Sequence, residues 1–380
     1  MNDIRRTILW VIFGFSMVLL WDKWQLHNGN KATFFPSPAA VGAAAPAAGA
    51  SAPLAGAASV PASTAPAVAS IGASAVPGTP APAAPAAREK IEVTTDVYRL
   101  TFDGEGGSLT HAELLKHADM TDKAKNFVLF DESTQRVYAA QTGLIGGSFP
   151  THKTVMTAVP GPRALKDGEN ELTIRFESPE QGGVKLVKTW TLKRGAYDIA
   201  VKHEVVNVGS TAVSPQLYLQ LVRDGNKPPG ESSFYSTFTG PAVYTDAKKY
   251  QKIEFKDIEN GKVDIPKESP NGYVAMVQHY FASAWLLADG VQRELFTRKV
   301  SDNLYSVGMI TPLGNIDPGT TKAVDARLFA GPQVETMMEK LYPGLELVKD
   351  YGWLTILSKP LYWLLDQLHK LLGNWGWSIV

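Results

Sequence analysis

The sequence predicts a mainly β protein: one large antiparallel β-sandwich, preceded by an N-terminal transmembrane helix and followed by C-terminal amphipathic helices. Three observations predict it. Between Ile91 and about Pro332, short segments alternate apolar and polar residues with a period of two and are separated by Gly, Pro, Asn and Asp. Near the start, Arg5 and Arg6 precede an apolar run from Ile8 to Trp21. Near the end, leucines recur at three- and four-residue steps after Trp353.

The N-terminal run is short for a span, which usually needs about 17 to 25 residues. Ile4, Thr7 and the Trp21/Trp24 pair extend it, with Trp10 inside it. A cleaved signal wants small residues directly after its apolar core, yet Asp22 to Asn30 follow here, so a retained signal anchor is the favoured reading. With Arg5 and Arg6 on its N-terminal side, the N-terminus is expected in the cytoplasm and the rest beyond Trp24 on the other face.

From Pro36 to Ala87 the chain is almost all Ala, Pro, Ser, Gly and Val, and no charge occurs between Lys31 and Arg88. Repeated Pro blocks a continuous helix, and the lack of large apolar side chains leaves chain entropy unopposed, so this stretch reads as an extended tether.

The strands can be read directly as Val97 to Phe102, Glu171 to Ser178, Val184 to Lys193, Tyr197 to Val208, Val213 to Val222 and Leu304 to Ile310. Gly182-Gly183 and Arg194-Gly195-Ala196 sit where hairpin turns belong. More than a dozen such strands with few helical stretches between them predict packed antiparallel sheets rather than βαβ units. The 380 residues, 44% hydrophobic, supply enough core for one such domain, and with Cys absent that core must hold it without disulfides.

After Pro332, Val334 to Leu341 has helical spacing. In the next helix Trp353, Leu357, Leu361, Leu364, Leu365, Leu368 and Leu372 form an apolar stripe, with Ser358 a plausible N-cap and Pro360 expected to begin or kink the helix. Asp366, Gln367, His369 and Lys370 interrupt the run, which fits a helix lying in the membrane interface better than a span. A core helix docked on the β domain is the alternative, and Trp353, Trp363, Trp375 and Trp377 favour the interface. The boundaries read as 1–25 anchor, 26–90 linker, 91–332 sandwich, 333–352 helical connector, 353–373 interfacial helix and 374–380 the opening of a second span.

Composition excludes several functions. Lys+Arg 37 against Asp+Glu 37 gives no net field for nucleic acid. The seven histidines show no metal-ligand spacing, and no P-loop or nucleophile elbow occurs. Gly104-Glu105-Gly106-Gly107 reads as a turn. His203, His279 and Glu204 are nominal candidates for sugar acid–base chemistry, but His203 and Glu204 are strand neighbours that face opposite ways. The Tyr and Phe of His279 to Trp285 read as core more readily than as a groove lining. No cofactor, metal or catalytic residue is expected.

The order of parts resembles the proteobacterial YidC insertase family, and so do the strings Lys188 to Asp198, Phe238 to Thr245, Gly272 to Trp285, Asp350 to Leu354 and Gly373 to Ile379. The resemblance implies a β-supersandwich of galactose-mutarotase-like shape in the periplasm of a bacterial inner-membrane protein. It also implies non-enzymatic insertion and chaperoning of nascent integral membrane proteins, with the lipid bilayer and the Sec translocon as partners. In the family, five further spans form a charged hydrophilic groove, expected beyond Val380. A membrane-anchored periplasmic carbohydrate-binding or carbohydrate-modifying protein is the second reading.

Overall fold

The computed structural model describes residues 89–228, 238–349 and 355–379. The expected anchor, with Arg5, Arg6, Trp10, Trp21 and Trp24, and nearly all of the linker lie outside the described residues, as does Trp353.

Eighteen strands occur among the described residues. They are β1 (Lys90–Thr94), β2 (Tyr98–Asp103), β3 (Ser108–Ala118), β4 (Asn126–Glu132), β5 (Val137–Ile145), β6 (Thr157–Ala158), β7 (Glu171–Glu177), β8 (Val184–Lys193) and β9 (Asp198–Asn207). They continue with β10 (Gln216–Asp224), β11 (Gly240–Thr245), β12 (Lys249–Lys252), β13 (Glu268–Ser269), β14 (Tyr273–Gln278), β15 (Phe281–Leu287), β16 (Arg293–Ser301), β17 (Leu304–Pro312) and β18 (Thr321–Pro332). A short helix, α1 (Phe255–Glu259), interrupts them; α2 (Glu335–Leu341), a 3₁₀ turn (Leu345–Val348), α3 (Thr355–Leu372) and α4 (Trp375–Ile379) follow.

The strands form two nine-stranded sheets. Their orders are β1-β2-β3-β4-β5-β10-β17-β16-β13 and β12-β11-β14-β15-β18-β9-β8-β7-β6. Every strand pairing within them is antiparallel, between distant strands such as β10 and β17 as well as between consecutive ones such as β8 and β9, where a short turn requires it. Gly182, Gly183 and Gly195 take the positive φ angles of +62°, +76° and +72° in the turns flanking β8, and Gly104 to Gly107 is indeed a turn.

Alternation decides which side chains meet between the sheets. β7 shows it without exception: Leu172, Ile174 and Phe176 are buried and their neighbours exposed. Phe102 from the first sheet packs on Trp190 from the second at 5.1 Å between centroids, and Trp190 on Trp285 at 6.1 Å. In β14 and β15 the alternation disappears because both faces are covered. Val274, Met276 and Trp285 point into the sandwich. Ala275, Ala282, Ala284 and Leu286 point outward and meet Met338 of α2, with Leu345 and Val348 of the 3₁₀ turn. Alanines on that outer face let the connector sit close to the sheet.

One expectation is corrected. Ser358 does not cap α3 and Pro360 does not begin it; both lie inside a helix already formed at Thr355. Pro360 has no N–H to give the carbonyl four residues earlier, a loss this helix tolerates rather than the start signal it resembles. Gly373, at φ +65°, donates its N–H to His369 O at 2.7 Å and ends the helix, and Asn374 Oδ1 accepts from Gly376 N at 2.8 Å to open α4. Among the described residues no helix is long and apolar enough to cross a membrane.

Candidate functional site

The candidate membrane-facing site is α3 together with the connector that carries it. Leu361, Leu365, Leu368 and Leu372 lie within about 40° of one line down the helix at 100° per residue, with Leu364 and Leu371 widening the stripe along one side of it. Leu361, Leu364 and Leu372 are exposed, Leu371 at 81%, whereas Leu365 and Leu368 are half-buried. On the opposite side Lys370 Nζ reaches Asp366 Oδ2 at 2.6 Å, one turn apart. Trp363 is 63% exposed on that polar side and Trp377 of α4 73%. The backbone of α3 includes Leu357.

A stripe of leucines left in water is costly. Each such side chain gains roughly 1.5–3 kcal/mol on full burial. The sandwich does not supply that burial to the exposed members. The reading of α3 as a core helix docked by its leucines is therefore not what the structure contains.

The helix meets the connector on a different side. Tyr362 receives the ammonium of Lys349 at 4.0 Å from its ring centroid. Burial lowers the pKa of Lys349, and Glu335 at the start of α2 opposes that shift. Upstream, the connector is fastened by tyrosines. Tyr342 Oη accepts from Gly272 N at 2.8 Å and donates to Asp289, while Tyr273 Oη donates to Gly344 O at 2.8 Å. Tyr244 stacks on Tyr273 at 5.3 Å and 7°. Gly344 stands at φ +88°, and a Cβ there would come within 2.6 Å of the Tyr244 ring, so only glycine fits.

The nominal catalytic residues do not converge. His203 is fully buried inside the sandwich with Nε2 3.0 Å from Thr142 Oγ1. Glu204 faces outward and pairs with Lys202 at 3.0 Å. His279 lies at the β14–β15 turn against Tyr280, which is exposed; Phe281 is buried and stacked on Phe127 at 3.8 Å. Burial, with the nearby Lys188 ammonium, lowers the His203 pKa to about 3, leaving a neutral imidazole in a closed interior. No group of three or more His, Asp or Glu positioned to hold a metal occurs among the described residues.

Sequence reading missed a buried lysine. Lys188 is fully buried, and its Nζ donates to Gly106 O at 2.6 Å and Thr142 O at 2.7 Å. Burial lowers its pKa to about 7. The signal was present: Val184, Leu186, Lys188, Trp190 and Leu192 share one face of β8.

Two grooves mark the outer faces of the sandwich. One, of about 500 Å³, crosses β8, β9 and β18 beside Thr191, Lys202 and Arg327. The other, of about 560 Å³, crosses β5, β10, β17 and β16 beside Gln141, Gln220 and Phe296.

A family model for the YidC periplasmic domain matches residues 90–364, from the first residue of β1 into α3. The chain belongs to the YidC periplasmic-domain family. Over its full length it is 49% identical to a protein of Janthinobacterium sp. named Membrane protein insertase YidC, and 52% identical to one of the same name from Cupriavidus necator. In each case the alignment covers 100% of this chain and 66% of the relative. The chain thus spans just under two thirds of the length of these YidC relatives. They bear the name of an insertase rather than that of an enzyme, in line with the expectation of no covalent chemistry. Among solved structures it resembles a galactose mutarotase related enzyme from Lactobacillus acidophilus (9% identity, 64% of this chain and 97% of that one, TM-score 0.40). It also resembles a putative aldose 1-epimerase from Escherichia coli (8% identity, 64% and 99%, TM-score 0.37). The family-model match stops at residue 364, so Leu365, Leu368 and Leu372 of the stripe fall just beyond it, although the alignments with the two relatives include them.

Proposed function

We propose that this chain is the anchoring and docking portion of a membrane protein insertase, acting on nascent integral membrane proteins alone or with the Sec translocon. Residues 1–25 hold it in the bacterial inner membrane, with Arg5 and Arg6 on the cytoplasmic side and Trp10, Trp21 and Trp24 in the bilayer. Residues 26–90 tether the sandwich in the periplasm. The stripe from Trp353 and Leu357 to Leu372 lies in the outer surface of that membrane.

The single observation that carries this reading is the leucine stripe of α3, left exposed on a helix that meets the sandwich connector through Tyr362. A bilayer interface removes those side chains from water without requiring the helix to span it. Insertion then lowers the cost of moving polar segments across hydrocarbon, several kcal/mol per unsatisfied group. That task belongs to the hydrophilic groove expected in the rest of the protein. The fully buried His203 weighs against carbohydrate modification.

The test uses cells that depend on the full-length protein. On its depletion, a pulse-labelled single-span reporter should become protease-accessible from the cytoplasmic side, and re-expression should restore its insertion. Unchanged reporter insertion on depletion counts against the proposal.

A further inference from the structure

The tip of the β14–β15 hairpin carries an exposed aromatic ring on a strained backbone. Tyr280 stands at φ +64°, where a turn ordinarily places glycine or asparagine and where a bulky side chain is costly. It is 63% exposed and, among the described residues of the sandwich, it is the only exposed aromatic side chain. The core does not need a ring there, because the next residue, Phe281, already fills the space by stacking on Phe127. Strain kept at a position that packing does not require points to a role outside the fold.

The tip is held where the chain leaves the sandwich for α3. Gln333 clamps it with three bonds: its backbone N–H donates to Tyr280 O at 2.8 Å, and its Nε2 donates to Gln278 O at 2.9 Å and to Phe281 O at 3.0 Å. Val334, next in the chain, is also exposed, so two apolar side chains flank one clamp. Glu335 follows and acts on both members of the Lys349–Tyr362 contact. With burial and Asp366 it raises the Tyr362 pKa, and it opposes the fall that burial imposes on Lys349. From Tyr280 the path through Gln333, Val334 and Glu335 thus ends against α3.

We propose that Tyr280 and Val334 form a second contact with the membrane surface beside α3, the tyrosine ring in the interface and its hydroxyl among the phospholipid headgroups. The sandwich then stands with this end toward the bilayer. The proposal rests on the placing of α3 in the membrane interface. Tyrosine suits that boundary because one end of its side chain is apolar and the other wet. A protein partner fits less well, since a stable interface covers roughly 800 Å² on each side and two side chains offer far less. Two side chains suffice for a surface to which α3 already holds the sandwich, because the second contact is then made at high effective concentration.

The chain contains no cysteine, so single cysteines can carry a fluorophore in the full chain, held in nanodiscs of phosphatidylethanolamine and phosphatidylglycerol with nitroxide-labelled lipid as quencher. The sites are Tyr280→Cys and Val334→Cys at the tip, Leu364→Cys on α3 and Val208→Cys as the control. Val208 is exposed just past the end of β9, whose start pairs with Phe329 near the tip. Ten strand residues, about 33 Å, separate the two ends. The tip sites should be quenched as strongly as Leu364, and Val208 should not be. With the label at Val334, Tyr280→Gly, which accepts the φ angle without strain, should lower the quenching, and Tyr280→Trp should keep it. Tip quenching no greater than at Val208 while Leu364 is quenched overturns the proposal and leaves α3 in the membrane. Quenching at Val334 that ignores Tyr280→Gly overturns it as well, and absence of quenching at the tip and at Leu364 overturns both readings.

Discussion

The ring of Tyr273 meets that of Tyr342 edge to face, centroids 5.9 Å apart at 84°, and each hydroxyl fastens the other residue's segment. Tyr342 Oη accepts from Gly272 N beside Tyr273, and Tyr273 Oη donates to Gly344 O beside Tyr342. The connector is thus tied to β14 at two points, and the burial of Met338, Leu345 and Val348 presses it onto the sheet.

Tyr342→Phe should break the tie with little change of shape. It leaves Gly272 N–H buried without its acceptor and removes the bond to Asp289, a loss of about 1–3 kcal/mol. Urea unfolding should show the lowered midpoint, and limited proteolysis should cut the connector sooner. An unchanged proteolysis rate would mean that the packing of α2 alone holds it.

Gly344→Ala should be worse than an ordinary Gly→Ala change. The position combines φ +88° with a Cβ 2.6 Å from the Tyr244 ring, so strain and displacement of Tyr244 add, and the cost should exceed about 1 kcal/mol. A variant as stable as the parent in thermal unfolding would contradict this.

Lys188 makes stability depend on alkaline pH. Its pKa is about 7 when folded, against an ordinary lysine value of 10.5 once the chain unfolds, so between those values the unfolded chain binds more protons. Unfolding free energy therefore rises with pH across that window, by at most about 1.4 kcal/mol per pH unit. Lys188→Met removes this contribution. Denaturation at pH 7, 8 and 9 should show the parent gaining on the variant as pH increases; parallel curves would show that Lys188 keeps an ordinary pKa.

His203 acts at the acid end. Its pKa falls from 6.5 to about 3 on folding, so as pH drops through this range the unfolded chain takes up a proton that the folded protein refuses, and stability declines. His203→Gln should flatten that decline between pH 6.5 and 4. An acid limb identical in parent and variant would count against a neutral buried imidazole.

Much of this is legible in sequence because period-two alternation and turn glycines act locally. The bounds of β8 can be read to the residue, and the hairpins around Gly183 and Gly195 fall where their glycines place them. Local signals fail where distant packing decides. β14 and β15 lose their alternation because α2 covers their outer faces, which no short window reveals. Pro360 looks like a helix start, since the sequence does not show that α3 has already begun by Thr355. The Phe296–Gly308–Gln220–Gln141 row joins the β16–β17 hairpin to β10 and β5, which lie far from it in the chain, so it exists only once the register is known.

The leucine stripe of α3 should bind lipid directly. A peptide of residues 355–373 should partition onto vesicles of phosphatidylethanolamine and phosphatidylglycerol, and Leu364→Asp with Leu368→Asp should weaken partitioning by about tenfold or more, given roughly 1.5–3 kcal/mol per buried leucine. Equal partitioning of parent and doubly substituted peptide would remove the stripe from the membrane.

The arrangement as a whole is tested most directly by protease added to intact spheroplasts expressing the full-length protein with an epitope at Met1. The proposal predicts rapid cleavage within residues 91–332 while the epitope stays protected behind the membrane. A protected sandwich, or a mature protein that begins downstream of Trp24 and so lacks the epitope, would contradict it.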